Sequence, residues 1–113
     1  MNELPIIQKT YDFIKWYIPI LNRLPRNHRF LLGERIINNL YDFLEKLIQA
    51  RFANKSDKIN ILKSLNTQLD ILRYQTRLLF DFELIKPQRY QYSNQQLNDI
   101  GIELGGWIKQ QEK

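Results

Sequence analysis

Between Leu24 and Ile36 the chain reads Leu-Pro-Arg-Asn-His-Arg-Phe-Leu-Leu-Gly-Glu-Arg-Ile, which gathers Arg26, Arg29, Arg35 and the only histidine, His28, around one expected helix start. Pro25 suits the first turn of a helix, where its missing N–H costs nothing, and arginine side chains there extend the positive field of the helix N-terminus. The chemistry such a segment offers is anion binding. Basic residues at a helix start are also commonly just solvated, and the residues alone leave both readings open. A second basic feature is Arg73 with Arg77, four apart and therefore on one helix face, with Tyr74 and Phe80 nearby. Two guanidinium groups so placed can grip a phosphate. They can equally pair with Asp70, three residues before Arg73, and Asp81, four after Arg77.

Signals for catalysis are weak. His28 has no partner in sequence, and a lone histidine among arginines suits a hydrogen bond or a phosphate contact better than a metal. Asp81 with Glu83, and Asp42 with Glu45, resemble solvated helix faces rather than a general acid–base or metal-binding set. The chain has no cysteine, which excludes disulfides, thiolate catalysis and cysteine-ligated zinc and gives no sign of an oxidising compartment. The four glycines form no phosphate-binding loop. Gly101 and Gly105, four apart in a helical pattern, would make a smooth strip for a close helix approach, or Gly105 and Gly106 would only loosen a helix end. No cofactor or metal site is expected.

The 113 residues suffice for one domain with one core, spanning 1–113. A formal charge of +5 and a pI near 9.6 favour phosphate-rich partners or anionic surfaces. Lys9, Asp12 and Lys15 interrupt the apolar runs near the start, so neither a secretory signal nor a membrane span is expected, and a cytoplasmic location fits.

The elements that position these residues read as four helices. Ile6, Ile7, Phe13, Ile14, Tyr17, Ile18 and Leu21 recur at helical spacing, and Pro19 inside that pattern predicts a kink, because Ile20, Leu21 and Leu24 prolong the stripe. A second helix follows Pro25 to about Phe52, with an apolar face from Ile36 and Ile37 to Leu47 and Ile48. After a turn over 54–57, Ser56 is the expected N-cap of a third helix reaching about Phe82, with Ile59, Leu62, Leu65, Leu69, Leu72 and Leu79 inward. The Lys86-Pro87 pair breaks the pattern, and a last helix starts between Gln88 and Ser93, where Ser93 and Gln96 fit a capping box. Short connections and the lack of strand alternation give an all-α, antiparallel four-helix bundle. Ile61, Ile71, Leu78, Phe80 and Phe82 lie around the third helix beyond one stripe, which implies either a self-association face or the scattered exposed hydrophobes normal on monomers.

Four segments carry a resemblance: Leu24-Pro25-Arg26 through Arg35-Ile36, Leu47-Ile48-Gln49-Ala50-Arg51, Leu72-Arg73-Tyr74-Gln75-Thr76-Arg77-Leu78, and Leu104-Gly105-Gly106-Trp107. In this order and spacing they resemble the Avd family, the accessory variability determinants of diversity-generating retroelements, together with the similar four-helix proteins encoded in 23S ribosomal RNA intervening sequences. The resemblance implies a four-helix protomer in a homopentameric barrel, a basic surface that binds RNA or DNA, association with a reverse transcriptase, and no enzymatic activity of this subunit. Carried onto matching positions, it points to Arg26 and His28, with Arg29 and Arg35 just after them, and to Arg73 and Arg77. Relatives from ribosomal RNA insertions share the motifs without a reverse transcriptase, so a second reading is an oligomeric interaction protein of that type. A reverse transcriptase gene and template repeat beside the coding region would favour the first, and a position inside a ribosomal RNA operon the second.

Overall fold

Apolar residues at every third or fourth position bury one stripe of each helix, and the computed structural model, which describes residues 4–113, shows four such rods closing around one core. Helix α1 is Pro5–Asn22. The second rod begins with a short turn, α2 (Arg26–His28), continues through a π-helical turn at Arg29–Gly33, and becomes α3 (Glu34–Phe52). Helices α4 (Lys55–Asp81) and α5 (Pro87–Glu112) complete the bundle. Consecutive rods run antiparallel; α4 packs along both α3 and α5, and α1 closes the ring between them. Helix α4, 27 residues and about 40 Å long at the usual 1.5 Å rise, sets the long dimension of 45 Å. There is no strand among the described residues, and no described helix is long and apolar enough to cross a membrane.

The expected stripes are largely those buried. Phe13, Tyr17, Leu21, Ile36, Leu40, Phe43, Leu47, Leu62, Leu65, Leu69, Leu72 and Leu79 form the centre of the core. Helix α1 runs on through Pro19 to Asn22 with Ile20 and Leu21 buried, so the proline does not end it. Ile48, expected inward, is exposed, and Ile59 is only partly buried.

Helix ends differ from the sequence reading where two caps compete. Asn54, not Ser56, caps α4: its Oδ1 accepts from the Asp57 backbone N–H at 2.9 Å while its Nδ2 donates to Asp57 Oδ2 at 3.0 Å. Pro87 opens α5 rather than preceding it, because proline at the first helical position supplies a fitting φ and lacks only an N–H that would have no partner. Ser93 therefore lies inside α5, buried, with its hydroxyl donating to the Tyr90 carbonyl at 2.8 Å, and no capping box forms with Gln96. The α4–α5 connection turns at Glu83, which adopts φ 59°.

One hydrogen bond crosses the apolar centre: Tyr17 Oη and Thr76 Oγ1 lie 2.8 Å apart. Burial pushes the Tyr17 phenol well above its ordinary pKa, with the Thr76 contact a smaller opposing effect, so it stays neutral. Tyr17→Phe is expected to lower stability by about 1 kcal/mol in urea unfolding, because it strands a buried hydroxyl, and adding Thr76→Val is expected to restore part of that loss.

Candidate nucleic-acid interface

The Leu24–Ile36 segment is built on a tight link between α1 and α2. The N–H groups of Arg23 and Leu24 bond back to Ile20 and Leu21, Leu24 is buried, and Pro25 stands just before the first helical turn rather than within it, with its carbonyl accepting from the Arg29 N–H at 2.9 Å. The π turn that follows carries one residue more per hydrogen-bonded ring than an α turn. It closes over Gly33, which is buried. A Cβ there would meet the His28 carbonyl at 3.2 Å and Leu24 Cδ1 at 3.3 Å, so a side chain would fit between this turn and the α1–α2 link only if its neighbours gave by a few tenths of an ångström.

On the outside of that turn the side chains separate by chemistry. His28 is half-buried, with its ring 6.0 Å from Phe82 at the end of α4, and so packs on an aromatic. Arg26 and Arg29 instead lie over Phe30, their guanidinium carbons 5.8 and 5.1 Å from the ring centroid. Arg29 also reaches the Asn22 carbonyl at 3.5 Å. Phe30 is 56% exposed and Leu31 more so. Arg35, on the first turn of α3, is exposed. Among the described residues no carboxylate lies within 4.0 Å of Arg23, Arg26, Arg29 or Arg35. The residues from 22 to 33 include three arginines and no acid.

Arg73 and Arg77 stand in a different setting. Both of the carboxylates the spacing offered do pair with them, Asp70 with Arg73 and Asp81 with Arg77, each at 3.6 Å. Pairs this long and this open to water contribute little, about 0–1 kcal/mol. Their side chains are 39% and 63% exposed, and with Tyr74, Tyr90, Asn94 and Asp70 they line a shallow groove of about 280 Å³ between α4 and α5. Arg73 owes its pose to Gly101: a Cβ at that glycine would come within 2.7 Å of Nη2. The Gly101–Gly105 strip expected to admit a close helix does not form: at Gly101 the near atoms are the Arg73 and Leu69 side chains, and nothing lies within 4 Å of Gly105 or Gly106.

The six candidate residues therefore form two surfaces, Arg26, His28, Arg29 and Arg35 on the α1–α3 connection and Arg73 with Arg77 in the α4–α5 groove. Sequence reasoning missed Phe30, although its place one residue after Arg29 and four after Arg26 was a usable signal. Among the described residues no cluster of three or more His, Cys, Asp or Glu is placed to hold a metal ion. The family model described as bAvd-like matches residues 4–111, nearly the whole chain. The chain belongs to the bAvd-like family. No match is found among curated proteins. The match agrees with the Avd resemblance carried by the four motifs, and the basic Leu24–Ile36 connection of this bAvd-like chain lies within it.

Gly33→Ala tests how this surface is held. Helix propensity alone would reward alanine by about 1 kcal/mol, and the tight contacts of its Cβ with the His28 carbonyl and Leu24 oppose that gain, so a net change within about 1 kcal/mol in chemical unfolding is expected, against a clear stabilisation if the turn were open.

Proposed function

We propose that this bAvd-like chain is a non-catalytic, cytoplasmic accessory subunit that assembles as a closed homopentamer, binds RNA or DNA through phosphate contacts, and associates with the reverse transcriptase of a diversity-generating retroelement. The observation that carries the reading is the acid-free connection from 22 to 33, whose arginines, Arg23 and Arg26 exposed and Arg29 half-buried, have no carboxylate partner among the described residues. Phosphate contacts of this kind give affinity without sequence preference, since no base-reading module accompanies them. Assembly multiplies the field: five copies of a +5 protomer carry roughly +25.

Support for self-association comes from α4. Ile71, Tyr74 and Leu78 follow one another at spacings of three and four on the side of α4 away from its buried leucines, and all three are exposed, Tyr74 by 62%. With Asn66, Thr67, Asp70 and Gln75 they line a broad, shallow depression. Spacings of three and four form the seam by which one helix packs along another. The number five comes from the family resemblance.

Three measurements test the reading. Light scattering at micromolar concentration is expected to give a pentamer mass for the native protein and a much smaller mass for Ile71→Asp with Leu78→Asp, with helical circular dichroism unchanged because both positions are exposed; a native monomer would refute the assembly. Filter binding from low to moderate salt is expected to show affinity falling steeply with salt and Arg26→Ala with Arg29→Ala weakening unrelated sequences about equally, with the oligomer intact. Salt-independent affinity or strong discrimination among sequences would refute the phosphate mode. Co-purification of the encoded reverse transcriptase tests the partner.

A further inference from the structure

We infer that Phe30 is a stacking platform for an unpaired base, so that the Leu24–Ile36 surface takes single-stranded nucleic acid in preference to duplex. The inference rests on the nucleic-acid reading above and sharpens its substrate class. Three observations meet at this residue. Its ring is 56% exposed on the outside of the π turn, so it contributes little to the core. Arg26 and Arg29 hold their guanidinium groups over it at 5.8 and 5.1 Å, so a base that takes the ring face displaces a guanidinium onto the neighbouring phosphate. The run from 22 to 33 contains no acid, and the one carboxylate of the Leu24–Ile36 segment, the exposed Glu34, follows it at the start of α3.

An aromatic face flanked by cations fits a nucleotide with a free base: the base covers the ring, and the phosphates on either side of it meet the arginines. In a duplex the faces of the bases are covered by their neighbours in the stack and only edges and backbone are presented, so the ring would gain nothing from it. Stacking of this kind tolerates any base, which agrees with binding that lacks sequence preference. His28 does not compete for the role, because its ring is packed on Phe82.

The test is fluorescence anisotropy on the full-length native assembly with three labelled probes at one salt concentration: a uridine-rich single-stranded RNA, its duplex, and an abasic sugar-phosphate strand of the same length. Phe30→Ala is expected to weaken the RNA strand about tenfold or more while leaving duplex and abasic strand within about twofold, and Phe30→Trp is expected to retain or tighten the strand. Arg26→Ala with Arg29→Ala is expected to weaken all three. Equal loss on all three probes with Phe30→Ala, or no loss on the RNA strand, overturns the stacking role while leaving phosphate binding in place. Unchanged RNA binding with a lowered oligomer mass or lost reverse transcriptase capture overturns it in favour of a protein contact. A native protein that binds none of the probes at low salt overturns the nucleic-acid reading itself.

Discussion

The leucine seam of α4 is the constraint on which the rest of the bundle depends. Leu62, Leu65, Leu69, Leu72 and Leu79 are buried almost completely, and the two longest helix–helix contacts, with α3 and with α5, both use this helix. Each fully buried leucine contributes about 1.5–3 kcal/mol of transfer free energy, so the seam orients α4 far more strongly than its surface ion pairs do. Once that face is fixed inward, the positions of Arg73, Arg77 and Tyr74 follow from helical geometry. Gly101 then decides the detail, since only a residue without Cβ leaves room for the Arg73 guanidinium to lie against α5.

The helices were legible because burial repeats with a period that sequence displays directly. Their ends were less so, because an end is decided by a few local bonds. Ser56 and Asn54 are both good caps by residue type; Asn54 prevails because Asp57 answers both of its polar atoms. Ser93 and Gln96 match a capping box by spacing alone, yet Pro87 starts α5 six residues earlier and turns Ser93 into a buried helical residue. The π turn at Arg29–Gly33 had no periodic signature, and the close packing of Gly33 against Leu24 and the His28 carbonyl that goes with it is set by backbone geometry that residue types do not display.

The basic residues were legible as charges but not as environments. Asp70 and Asp81 were within reach of Arg73 and Arg77 by spacing, and the structure pairs them loosely. For Arg26 and Arg29 the sequence offered no such acid, and the structure gives them an aromatic ring instead. His28 is held against Phe82, a contact between residues 54 apart that no local pattern announces. The family match covers both basic segments, yet it does not distinguish a cation held in a shallow ion pair from one left open beside an exposed ring.

The apolar outer face of α4 is not an overflow of the core. A core too large for its helix would grade smoothly from buried to exposed positions. Here a polar row intervenes on the α3 side: Asn39 Nδ2 donates to Gln75 Oε1 at 3.2 Å, Gln68 Nε2 donates to Asp42 Oδ2 at 2.9 Å, and Lys46 joins both Asp42 and Gln68. The Gln68 contact is the main reason the Asp42 carboxyl is held below its usual pKa. On the α5 side Asp70, Arg73 and Arg77 form a second polar row. Ile71, Tyr74 and Leu78 lie beyond both, a separate seam with its own three-and-four spacing. Two apolar faces divided by two polar rows suit a helix with two packing surfaces, one used by the core and the other available to the self-association proposed above.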